Sequence, residues 1–190
     1  MTGITPLIFL SLWVSLACAS FIPAPVTEIR SAETCGDPLN AVPYYRTYSS
    51  SVVDHAYTAD VPALNGGIVR SGYPVQGVAG LVFVSQELSA VQFYRLYSAA
   101  ATDHFFTMST TERDNALKAG YVLQAGEPPV YIYPTQICGS VPFYRLYNPV
   151  GQDNFYTISE SERLEFITTQ GYNDVEIAGY LLPLVNTQCT

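Results

Sequence analysis

The chain repeats one block of sequence three times, and this constrains its fold more than any other feature. Tyr45-Arg46-Thr47-Tyr48 returns as Tyr94-Arg95-Leu96-Tyr97 and as Tyr144-Arg145-Leu146-Tyr147. Eight residues after its arginine, each copy continues with an acid and an aromatic-threonine ending. These are Asp54-His55-Ala56-Tyr57-Thr58, Asp103-His104-Phe105-Phe106-Thr107 and Asp153-Asn154-Phe155-Tyr156-Thr157. The spacing is 49 and then 50 residues, which makes this one supersecondary unit used three times.

Local signals give each copy a common plan. Phe93 to Tyr97 and Asp103 to Thr107 read as two strands of a hairpin, joined through Ser98 to Thr102. In the third copy the connection holds Pro149 and Gly151, both turn formers. Ser109 to Glu112 and Ser159 to Glu162 are capping boxes, in which serine and glutamate would satisfy each other's orphan amides. The helices they start, about 110–119 and 160–170, should stop at Gly120 and Gly171 in left-handed ends. Two further strands follow in each copy. The first copy lacks the capping box and carries Pro62, Gly66 and Gly67, so its helix should be short or frayed. The expected fold is a β-rich α+β domain with pseudo-threefold symmetry, built from three repeats of about 49 residues (about 42–88, 91–137 and 141–189). Each is a hairpin, a short helix and two more strands, with about twelve strands in all; a β-trefoil-like closure is the alternative.

The N-terminus reads as a targeting segment. Leu7 to Leu16 is apolar and holds the only tryptophan, Trp13, and Ala17-Cys18-Ala19 forms a cleavage pattern. The stretch is too short to span a bilayer. Residues 1–19 are therefore expected to be a signal peptide, 20–39 an arm with several prolines, and 40–190 the repeat domain. The product should be exported, extracellular, free of the membrane and monomeric. A formal net charge of -8 argues against nucleic acid as a partner, because phosphate would be repelled. Fifteen tyrosines and nine phenylalanines favour strands over helices.

With Cys18 removed, Cys35, Cys138 and Cys189 remain. Export favours oxidation, and an odd number leaves one thiol over. Ring closure would bring the two ends together, so Cys35–Cys189 is the expected bridge. Cys35–Cys138, Cys138–Cys189 and no bridge are the alternatives.

The order of motifs at 144–172, YRLYN, DNFYT, S-x-S-E-R and GY, resembles a family of secreted repeats of unknown function found in fungi and bacteria. The resemblance spans about 42–184. Similar repeats often accompany hydrolase domains in exported proteins, which implies a targeting or carbohydrate-binding role. Copy one departs from the pattern at Ala56, and copy three has Asn154 where the others have histidine.

Candidate ligand-binding residues recur with the repeat: Arg46, Tyr48, Asp54 and His55; Arg95, Tyr97, Asp103 and His104; Arg145, Tyr147, Asp153 and Asn154. Acids would accept hydroxyls, and tyrosine rings would stack on a sugar. Alternatively each arginine bonds the aspartate across its own hairpin, a staple that would recur without any ligand. His55 and His104 are the only histidines; zinc needs three or four convergent ligands, so no metal or other cofactor is expected. No G-x-S-x-G, H-E-x-x-H or phosphate-cradling loop is present in the sequence, and a non-enzymatic role is expected. Two functions remain open. One is a lectin-like module for extracellular or cell-wall polysaccharide, with three weak sites acting together. The other is a small secreted structural or protein-interaction factor.

Overall fold

The computed structural model describes residues 35–124 and 126–184. The expected signal peptide, most of the arm and Cys189 lie outside the described residues. The described chain is β-rich, with two antiparallel sheets and a few short helices.

Each copy starts with the hairpin its aromatic alternation predicts. β1 (Ala41–Ser49) pairs with β2 (Asp54–Thr58), placing Arg46 opposite Tyr57 and Tyr48 opposite His55. After β3 (Val75–Phe83), the same register recurs between β4 (Val91–Ser98) and β5 (Asp103–Thr107). It recurs again between β8 (Val141–Asn148) and β9 (Asp153–Thr157). The last residue of each hairpin loop, Val53, Thr102 or Gln152, is left-handed, with φ of 55°, 56° and 57°. Strands β2, β5 and β9 are buried along their whole length and contact one another pairwise.

The helices follow the hairpins. α2 (Thr110–Lys118) and α3 (Glu160–Thr169) start where the serines predict, with Ser109 and Ser159 accepting from the Glu112 and Glu162 amides. Only half of each capping box forms. The Ser109 N–H goes to Thr107 Oγ1 and that of Ser159 to Thr157 Oγ1, leaving both glutamate carboxylates for other partners. Gly120 and Gly171 close the helices at φ of 95° and 76°. In the first copy the helix is a single turn, α1 (Val61–Ala63), capped by Asp60 and continued by π and 3-10 turns to Ser71.

The return strands correct the expected count. In the first and third copies the two further strands are one continuous strand, β3 or β10 (Asn173–Leu181), bent by register shifts. Gly179 serves one bend in β10. Its φ is 153°, and a Cβ there would lie 2.4 Å from Ile132 Cδ1. Only in the second copy is the return split, into β6 (Val122–Leu123) and β7 (Val130–Ile132), because Gln124 to Pro129 intervenes. Ten strands are thus present among the described residues. They run β2-β1-β3-β7-β4-β5, with β6 on β4, and β10-β8-β9. Bridges Leu81↔Leu182 and Tyr133↔Tyr180 join the second group to the first.

The core is aromatic. Tyr57, Phe106 and Tyr156, one from each copy, form a triangle of edge-to-face rings with centroids 5.5–5.6 Å apart. Tyr57 Oη bridges the Tyr156 backbone, and Tyr156 Oη bridges that of Phe106. Phe106 has no hydroxyl to give the Tyr57 backbone. Around them lie Tyr44, Phe93 and Phe143, the equivalent residues of β1, β4 and β8.

The disulfide differs from the expected one. Cys35 bonds Cys138, with Cα atoms 5.7 Å apart. The chain entering the domain is held at the segment that joins the second and third copies, beside Tyr133, Tyr180 and Leu182. Gly36 N–H donates to Tyr133 Oη, and Asp37 N–H to Glu87. Tyr133 and Phe83 anchor the apolar cluster against which Cys138 packs.

Candidate functional site

The recurring aspartates do not bond the arginines of their own hairpins. Each is fully buried and accepts from the residue that follows the aspartate of the next copy. Asp54 Oδ1 takes the His104 N–H (2.9 Å) and its Oδ2 takes His104 Nδ1 (2.7 Å). Asp103 takes the Asn154 N–H (2.9 Å) and Nδ2 (2.7 Å), and Asp153 takes the His55 N–H (2.8 Å) and Nδ1 (2.6 Å). The relay therefore passes from first copy to second, second to third and third back to first. Each Oδ2 also accepts a tyrosine hydroxyl from its own copy: Tyr73, Tyr121 or Tyr172. These tyrosines directly follow the left-handed glycines, a recurring Gly-Tyr pair that places them. Asn154 takes the place of histidine in the relay, its side-chain N–H donating where the imidazole Nδ1 bonds in the other copies.

Oxygens of the three carboxylates lie within 4.8 Å of one another. Three hydrogen bonds to each carboxylate account for the cluster as a hub linking the copies. Burial pushes the Asp103 carboxyl up to about 6, against bonds from Tyr121 and Asn154 that favour its charge. Its side-chain partner in the relay is an amide, where the other two aspartates have imidazoles. Burial, with the adjacent carboxylates, also raises Tyr73, Tyr121 and Tyr172.

Two of the arginines reach across copy boundaries as well. Arg46 makes a bidentate pair with Glu162 of α3 (2.9 and 2.8 Å), and Arg145 bonds Glu112 of α2 at 3.1 Å. These are the glutamates left free by the half-formed capping boxes, and each also accepts from the threonine that ends its β-hairpin. The first copy has no such glutamate. Glu127, from the segment that splits the second return, takes that place, accepting from Thr58 Oγ1 and pairing with Arg95. The expected arginine–aspartate staple is thus replaced by arginine–glutamate pairs, which cross a copy boundary at Arg46 and Arg145; Arg95 and Glu127 share the second copy, and Thr58 carries the link to the first.

Three clefts lie behind these arginines, built from equivalent residues and filled to different degrees. Between the third copy and the first, Phe155 and Phe166 stack at 3.8 Å and 8°, with Arg46 over Phe155 and the His55 ring against it. Between the second and third, Phe105 lies beneath Arg145, but α2 offers only Ala116 where α3 has Phe166; a cavity of about 260 Å³ remains. Between the first and second, Ala56 replaces the phenylalanine and the full helix is missing. A cavity of about 620 Å³ opens there, walled by Tyr73, Arg95, Tyr97 and His104.

The candidate residues therefore separate. Asp54, Asp103 and Asp153 belong to the buried hub and do not face a ligand. Tyr48 and His55 stack on each other in the filled cleft at 4.3 Å. Tyr147, Arg145 and Asn154 line the partly filled one, where Asn154 Oδ1 also accepts from Arg145 Nε. Arg95, Tyr97 and His104 line the open one. In sequence Glu112 and Glu162 read only as capping residues and Gly-Tyr only as a motif; their arginine and aspartate partners, Glu127 and the consequence of Ala56 become visible in the structure.

A model of the family described as a domain of unknown function, DUF5648, matches residues 43–182. No curated protein and no solved structure matches the chain.

Proposed function

The chain belongs to this family of unknown function, so its role has to be argued from its own geometry, and we propose that it is an exported, non-catalytic carbohydrate-binding module. In this reading residues 1–19 are a signal peptide, and the three repeats close as a pseudo-threefold body that acts as a monomer outside the cell. Its partner is an extracellular or cell-wall polysaccharide, and no cofactor takes part. One observation carries the reading: the staples between copies leave clefts that combine a tyrosine ring, an arginine and a polar ring or amide. An apolar face beside hydrogen-bonding groups suits a sugar, whose ring has both. The carboxylates of the hub are committed to structure, which supports binding over acid–base chemistry.

Pull-down of the exported chain on insoluble chitin, β-glucan and cellulose, alongside a glycan array, tests the proposal. Retention on at least one polysaccharide, competed by its soluble fragments, is expected. No glycan retention, together with capture of a protein partner from extracellular extract, would support the alternative of a secreted protein-interaction factor.

A further inference from the structure

Building on the carbohydrate-binding reading, we infer that the protein has a single ligand site, the cleft over Ala56, and that the ligand there is an uncharged sugar. Space is the first argument. The fold offers three equivalent clefts, but phenylalanine rings occupy one and reduce another to about 260 Å³. The cleft over Ala56, at about 620 Å³, has the size of small-molecule sites, which run about 300–1,000 Å³. Ala56 is 2% exposed, so its small side chain is not a surface accident. It lies where Phe105 and Phe155 lie in the other copies.

Charge is the second argument. Both cationic candidates in this cleft already have carboxylate partners: Arg95 has Glu127, and His104 Nδ1 has Asp54. An anionic ligand would have to displace Glu127 or lie beside it, on a chain of net charge -8. A cationic ligand would meet Arg95. An uncharged ligand avoids both costs.

Lining chemistry is the third. Tyr97 presents a ring, and Ala56, Pro62 and Ile68 make an apolar wall. Hydrogen-bonding groups come from His104, Gln124 and Ser71. Because His104 Nδ1 is bonded to Asp54, Nε2 is the ring nitrogen left to hydrogen-bond a ligand hydroxyl. A sugar ring, with a C–H face and a hydroxyl edge, answers both kinds of surface.

The test is calorimetric titration of the exported chain with cellobiose, laminaribiose, mannobiose and N,N'-diacetylchitobiose, and with digalacturonate as the anionic counterpart. At least one neutral disaccharide should bind with a stoichiometry near one, and digalacturonate should bind more weakly by about tenfold or more. Ala56→Phe, which restores the phenylalanine of the other copies, should weaken binding by about thirtyfold or more while the melting temperature holds. If that variant does not fold, Ala63→Trp narrows the same cleft from its outer wall and should give the same loss. Binding that survives these substitutions, or a stoichiometry of three, leaves the carbohydrate reading intact and overturns the single site. Preference for digalacturonate overturns the uncharged ligand. Absence of binding to every sugar here and to every polysaccharide in the pull-down sinks both proposals.

Discussion

Asp103 offers a sharp test of the buried hub, because its neighbours differ from those of the other two aspartates. Its carboxyl is raised from 3.8 to about 6 by burial, opposite the neutral amide of Asn154. Between these two values the native protein holds a proton that the unfolded chain has released. Stability therefore falls as pH rises through this window, the reverse of the usual behaviour of a salt-bridged aspartate. At 1.36 kcal/mol per pKa unit, the ionised group costs the fold about 3 kcal/mol at neutral pH. Asp103→Asn removes the titration and changes the hydrogen bonds by an amount that does not depend on pH. Urea unfolding of both proteins from pH 4 to pH 7.5 isolates the difference. The wild type should lose about 3 kcal/mol relative to the variant as pH rises, most of it between about pH 4 and 6. A stability difference that stays flat across this range would refute the reasoning.

Further expectations follow from the other staples. Phe106→Tyr supplies the hydroxyl missing from the aromatic triangle and should bond the Tyr57 backbone; a gain of about 1 kcal/mol in chemical denaturation is expected, and a loss would show that the core has no room. Glu127→Ala strips both Arg95 and Thr58 of a partly buried partner and should cost about 2 kcal/mol, whereas Glu160→Ala, at a largely exposed pair with Arg163, should cost under about 1 kcal/mol. Replacing Cys35 and Cys138 by serine opens a bridge across 103 residues and should lower stability by about 2–5 kcal/mol; equal melting temperatures with and without reductant would count against that bridge.

What could be read from the sequence and what could not divides by distance along the chain. The hairpins, the serine N-caps and the left-handed Gly120 and Gly171 rest on forces acting within about ten residues, and they appear where the motifs place them. The partners of Asp54, Asp103 and Asp153 lie 50, 51 and 98 residues away, so their pairing depends on how the copies close. A rule local to one hairpin assigned them to the nearest arginine and failed. The same applies to Cys35, whose bridge is fixed by where the entering chain rests on Tyr133. The merging of two short strands into β3 and β10 was hidden because glycine bends look like strand ends in sequence. Ala56 was visible as a departure from the repeat, yet its meaning needed the neighbouring Arg95 and His104 in place around it.

The two histidines provide the most direct test of the proposed site. His104 lines the open cleft, and His55 lies against Phe155 in the filled one, so one ring should sense ligand and the other should not. Ring nitrogen and proton shifts of both can be followed by NMR while a neutral disaccharide is titrated into the protein. Saturable movement of the His104 signals and constant His55 signals are expected. Equal movement of both rings, or saturation that leaves His104 unchanged, would contradict the proposed site.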